Sequence, residues 1–164
     1  MLDACWTRER ASRDAVAACY IESMTTKETF APGWQQRHVE RYRESNGEDG
    51  HIWEGVPTLL LTTTGRRSGQ PRTTPLIYAK DGDRYVVVAS YGGAPKHPDW
   101  YVNLHEKPDL EVQVKADRFQ AKAHTAEGDE KARLWKIMAA IWPAYDNYQA
   151  KTSREIPIVI LERV

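Results

Sequence analysis

The chain has 164 residues with 23 basic and 23 acidic side chains, so its formal net charge is zero. That length supports one packed domain with or without an N-terminal extension, and the charge balance excludes a general nucleic-acid binder, which needs a net basic surface. No run approaches the length of a membrane-spanning helix, and the two cysteines, Cys5 and Cys19, both lie near the N-terminus, as suits a reducing cytoplasm.

Residues 1–30 differ from the rest. The short apolar stretch AVAACYI (15–21) follows mixed charges without the layout of a secretory signal, and a polar stretch opens at Met24. They read as an N-terminal extension, poorly packed or an added helix, ahead of a single domain over 31–164. WQQRHVERYRES (34–45) predicts a helix with Trp34, His38, Val39 and Tyr42 on one face. Three roles stay open for that helix: core packing, a cover over a pocket mouth, or contact of Arg37, Arg41 and Arg43 with an acidic membrane surface.

After the turn NGEDG the period changes. VPTLLLTTTG and PRTTPLIYAK read as strands joined by GRRSG, and the hairpin signal KDGD leads into RYVVVAS, whose unbroken apolar run suggests burial. A Gly-Gly loop, YGGAPKH, precedes a short helix with Pro98 near its start and Asp99 in its first turn. DLEVQV and DRFQAKAHTA alternate as two more strands. GDEKARLWKIMAAIW is an amphipathic helix with Leu134, Ile137, Met138 and Ile141 on one face; Pro143 interrupts it, and PAYDNYQAKT adds further helix. IPIVILERV closes the chain as a buried strand. The expected class is α+β, mainly β: six antiparallel strands in a small barrel with flanking helices. The order does not alternate strand and helix, which excludes a Rossmann sheet.

HExxH, paired CxxC and GxSxG are all absent, and the five histidines have no metal-ligand spacing. The feature that stands out is TTTGRRSGQPR (62–72). Arg66, Arg67 and Arg72 offer guanidinium forks that grip phosphate or carboxylate oxygens, and Ser68 with the N–H groups around Gly69 adds donors. A solvated hairpin tip is the plain alternative. The second loop, SYGGAPKHPDW, lets backbone approach a ligand at Gly92 and Gly93 and aims a helix N-terminus outward. Two such loops suit an elongated polyanionic cofactor. Trp142, Tyr145 and Tyr148 recur at spacing three, as a core stripe or as the wall of a substrate pocket.

PTLLLTTTGRRSGQPRTTPLIY, VVVASYGGAPKHPDWYVNL and IWPAYDNYQAKTSREIPIVILE together resemble the deazaflavin-dependent nitroreductase family of actinobacteria over about residues 53–162. The resemblance implies a split β-barrel that binds coenzyme F420, a deazaflavin with a phosphate and an oligoglutamate tail. By the same resemblance Arg66, Arg67, Ser68, Gly69, Gln70 and Arg72 look like the grip on phosphate and tail, and Thr74, Pro75 and Ile77 run beside the ring. Ser90, Tyr91, Gly92 and Gly93 look like the loop that holds the ring and ribityl chain, with Trp100 and Asn103 behind it. Tyr145 and Tyr148 look like the substrate-side, catalytic tyrosines. Ile77 and Trp142 stand where the best-known members carry tyrosine, which implies a different acceptor preference.

The expected activity is hydride transfer from reduced F420 to electron-poor planar acceptors such as quinones, activated enones or nitroaromatics, with a tyrosine or water giving the proton. The rivals are an FMN-binding barrel of pyridoxamine-phosphate-oxidase type and a non-catalytic ligand-binding barrel. The expected partner is a small-molecule acceptor, the expected location cytoplasmic with membrane contact as the alternative. The physiological acceptor and the oligomeric state are not legible in the sequence.

Overall fold

The structure, a computed structural model, describes residues 32–164. The expectations for residues 1–30 lie outside the described residues, and Gln35–Val164 form one compact unit.

Helix α1 (Trp34–Glu44) buries His38, Val39 and Tyr42, the face expected from the spacing. That face packs on the barrel and gives no support to membrane contact, while Val39 and Arg43 of the same helix also line the cleft described below. Val39 and Tyr42 sit against Leu60, and the Tyr42 hydroxyl donates to Thr58 O at 3.0 Å and accepts from Lys115 N at 2.8 Å. The helix ends where Asn46 and Gly47 turn to φ 52° and 85°. A Cβ on Gly47 would stand 2.5 Å from Lys115 Cα, so only glycine lets the chain pass.

Seven strands follow in a single antiparallel system: β1 (Ile52–Trp53), β2 (Val56–Thr64), β3 (Pro71–Asp81), β4 (Arg84–Val88), β5 (Leu110–Val114), β6 (Asp117–Thr125) and β7 (Ile158–Arg163). Their order is β1-β2-β3-β4-β7-β6-β5, and β5 pairs back onto β2, closing β2–β7 into the expected six-stranded barrel. The extra strand β1 is a two-residue hairpin arm. Its turn, Glu54-Gly55, takes positive φ at both residues (50° and 81°), the geometry that matches strand twist. A two-residue strand is too short for any periodicity to announce it.

Helices α2 (Asp99–Glu106), α3 (Gly128–Ile141) and α4 (Ala144–Lys151) flank the barrel. Alternation divides the core into two layers. Leu59, Leu61, Val87, Val112, Val159 and Leu161 fill the lumen, while Val86, Val88, Ile158 and Ile160 face outward against Leu134, Met138 and Tyr145 of α3 and α4. Strands β4 and β7 are therefore buried on both faces, the physical reason for the unbroken runs VVV and IVIL. Each such side chain contributes about 1.5–3 kcal/mol on burial.

Candidate cofactor site

The connection between β2 and β3 is tied to itself. Gly65 N donates to Gln70 O and Gly69 N to Gly65 O, both at 2.8 Å, and Ser68 Oγ accepts from Gln70 N at 3.2 Å. It is also tied to α2, whose Asp99 and Asn103 stand one turn apart on one face. Arg66 Nη2 meets Asp99 Oδ1 at 3.1 Å, and Asn103 Oδ1 accepts from Arg66 N and Nη1 at 3.2 and 2.9 Å. Asn103 Nδ2 reaches back to Thr63 Oγ1 at 3.4 Å. Arg66 is thus engaged within the protein. Arg67 and Arg72 are exposed, and among the described residues neither has a carboxylate within ion-pair distance.

This turn forms one wall of an open cleft of about 920 Å³. Arg43, Arg66, Arg67, Arg72 and Lys96 line it, against the one carboxylate of Asp99. The sequence reading missed Arg43 and Lys96. Arg43 Nη2 donates to Thr73 Oγ1 at 2.8 Å, so α1, packed by its apolar face, turns its basic flank to the cleft. Trp100, Asn103 and Thr74 also line the cleft.

Strand β3 leads away from the turn. It pairs with β2 over Pro71–Ile77, but with β4 only from Tyr78 onward. Over Pro71–Ile77 its second edge carries no strand partner among the described residues, because β4 leaves the barrel at Val88 for the Gly-Gly loop. From Arg72 to Ile77 that edge runs about 17 Å. Alternation turns Thr74 and Ile77 to opposite faces, so a ligand alongside both meets strand edge rather than two side chains of one face. Pro75 is buried opposite Leu60, and Ile77 packs into the cluster of α3 and α4.

The loop after β4 contains a short 3₁₀ turn, Tyr91–Gly93, in which all three residues have positive φ (47°, 62° and 79°). Ser90 leads into it, and Tyr91 is 54% exposed. Gly93 is pressed on α4, where a Cβ would fall 2.5 Å from Tyr148 O. The loop and the tyrosine helix are therefore in direct backbone contact. Spacing alone puts both tyrosines on one face, but they differ in burial. Tyr145 is 5% exposed, part of the core, and burial, aided by the nearby Tyr148, pushes its hydroxyl pKa far up. Tyr148 stands half-buried at the edge of that cluster, its ring 6.1 Å from Tyr145. Trp53 packs at a tilt against Trp142, ring centroids 5.5 Å apart, beside the same cluster; β1 supplies this neighbour, which the sequence reading does not include.

The fold is a six-stranded antiparallel barrel, and its open cleft gathers five cationic side chains. The chain belongs to the F420H(2)-dependent quinone reductase family, whose profile matches residues 34–163. It is 46% identical over 143 residues to the F420H(2)-dependent quinone reductase Rv1261c of Mycobacterium tuberculosis, covering 79% of this chain and 96% of the relative. A solved structure described as an F420-H2 dependent reductase, FDR-A, is 41% identical with a TM-score of 0.60, covering 65% of this chain and 94% of that one. Another, described as a domain-swapped dimer, is 39% identical with a TM-score of 0.63, covering 77% and 96%. The expectation of an F420-dependent reductase stands, and F420 takes precedence over FMN.

Proposed function

We propose that this protein transfers a hydride from reduced F420 to quinones and related electron-poor planar acceptors, and that the residues assembled above hold the cofactor along β3. One observation carries the reading: two exposed guanidinium groups without carboxylate partners among the described residues, Arg67 and Arg72, in a cleft with five cationic side chains. That donor set fits a phosphate and an oligoglutamate tail. Bidentate grips on such oxygens are among the stronger hydrogen bonds available to a protein. Arg66 braces the turn rather than gripping the ligand, with Asp99 and Asn103 as its anchors. The free edge at Thr74–Ile77 and the Tyr91–Gly93 loop fit the two sides of a flat ring.

Reduced F420 supplies the hydride; the protein binds, orients and shields. Tyr148 is placed to orient the acceptor oxygen by hydrogen bonding, and Tyr145 holds the Tyr148 ring from behind. Trp142 with Trp53 provides an apolar wall for a planar acceptor. We place the protein in the cytoplasm; no described helix is long and apolar enough to cross a membrane. The burial of the α1 apolar face gives no support to membrane contact through it.

The test is a titration of the apoprotein with F420 and with FMN, followed by assay of F420H2 oxidation by a quinone. Preferential F420 binding with quinone-dependent turnover is expected. Equal affinity for FMN, or binding without turnover, refutes the reading.

A further inference from the structure

Arg154 lies between α4 and β7, and nothing in the foregoing assigns it a role. Its half-buried guanidinium spends its donors on the main chain of one segment. Nε donates to Ala94 O at 2.8 Å, Nη1 to Ala89 O at 3.3 Å and Nη2 to Ser90 O at 2.6 Å, while Nη1 also lies 3.3 Å from His97 Nδ1. Among the described residues Arg154 has no carboxylate partner; the neighbouring Glu155 pairs with Lys131 at 2.6 Å. A cation drawn out of water is costly unless hydrogen bonds replace its hydration. Here the carbonyls of a single loop replace it.

The carrier of Arg154 is itself fixed to α4. Gln149 Nε2 donates to Arg154 O and Gln149 Oε1 accepts from Ile156 N, both at 2.9 Å. The bonded carbonyls belong to residues that flank Tyr91, Gly92 and Gly93, the run of three positive φ angles. A non-glycine residue in that region costs about 1–2 kcal/mol and persists only where its surroundings impose it. On the opposite side the loop is open: Tyr91 is 54% exposed, and nothing lies within 4 Å of a Cβ placed on Gly92. Three separated carbonyls demand a planar fork; the single nitrogen of lysine cannot reproduce it.

We propose that Arg154 is a positioning residue for the cofactor, holding the Ser90–Ala94 carbonyls inward so that Tyr91–Gly93 presents its open side to the deazaflavin. This rests on the reading that F420 lies between this loop and β3. The test titrates apoprotein with oxidised F420, read by cofactor fluorescence, in wild type, Arg67→Ala, Arg154→Lys and Gln149→Ala, with thermal melts to confirm folding. Arg154→Lys, folded at the assay temperature, is expected to weaken F420 about tenfold or more, the worth of lost charge-assisted hydrogen bonds. Its KM for F420 is expected to rise while its KM for a quinone stays unchanged. Gln149→Ala keeps the guanidinium but frees its carrier, and is expected to weaken F420 by a smaller factor. A folded Arg154→Lys that binds F420 like wild type overturns the proposal while leaving the functional reading intact, provided Arg67→Ala still weakens binding. Should Arg154→Lys not fold, unchanged F420 affinity in Gln149→Ala overturns it. Wild type that does not bind F420 overturns both.

Discussion

Arg66 and Arg67 are adjacent and chemically identical, yet the structure gives them different work. Arg66 is spent on Asp99 and Asn103, whereas Arg67 and Arg72 face the cleft with no carboxylate partner among the described residues. Replacing Arg67 or Arg72 by alanine is expected to weaken F420 by roughly 10- to 100-fold, about 1.5–3 kcal/mol, with the melting temperature unchanged. Arg66→Ala is expected to lower both, since it loosens the turn from α2. Equal effects of all three on affinity, without loss of stability in Arg66→Ala, would contradict that division. The tyrosines divide similarly. Tyr148→Phe keeps the ring and removes the donor, so at saturating F420 turnover with a quinone is expected to fall at least about tenfold, or about 1.4 kcal/mol of barrier. Tyr145→Phe is expected to leave turnover nearer wild type because that side chain is buried in the core. A Tyr148→Phe variant at wild-type rate would assign the proton to water.

At the scale of the element, two close approaches hold the site in shape. The Tyr42 hydroxyl bridges Thr58 O and Lys115 N and so ties α1 to the barrel. Tyr42→Phe strands the buried Thr58 carbonyl and the part-buried Lys115 N–H, and denaturant unfolding should show a loss of about 1–3 kcal/mol. Gly93 is the other. An alanine there has neither the φ of 79° nor the room, since its Cβ would meet Tyr148 O at 2.5 Å. Gly93→Ala is expected to push the loop off α4, losing F420 affinity and quinone turnover together, whereas Gly92→Ala, with space around it, costs only its backbone strain. The longer elements were legible in the sequence because burial patterns repeat along them: the two-faced burial of β4 and β7, and the Leu134–Met138 stripe of α3. The β1 arm was not, since two residues carry no period.

For the molecule as a whole, three histidines couple stability to pH. Burial lowers the pKa of His38, His51 and His97; nearby cations add to the effect at His51 and His97, whereas at His38 the hydrogen bond to Gly50 O opposes it in part. Below the unfolded value of about 6.5 the unfolded chain binds protons that the folded chain refuses, so stability is present at neutral pH and is lost as pH falls toward the depressed folded values. The melting temperature is expected to drop between about pH 7.5 and about pH 5.5. A flat profile across that window would show that the three rings titrate freely. In more acid solution Asp81 takes over. Hydrogen bonds from Arg133 and Arg84 hold its carboxyl well below the usual carboxylate range, so its contribution is present above about pH 4 and lost as pH falls further.

Local chemistry is written in adjacent residues, and so the sequence by itself determined the six barrel strands, the helices, the arginine turn, the Gly-Gly loop and the family likeness. Each depends on propensity, periodicity or a short motif. Tertiary structure decided the rest, because it depends on which distant segments meet. Arg43 and Thr73 are thirty positions apart but bond directly to each other in the lining of the cleft. Arg66 finds Asn103, thirty-seven positions away, only once α2 packs beside the β2–β3 turn. Arg154 reads as an ordinary surface arginine until β7 pairs with β4 and brings it over the carbonyls of Ala89, Ser90 and Ala94. Spacing put Tyr145 and Tyr148 on one helical face; the packing of α4 buried the first and left the second half-buried at the edge of the cluster.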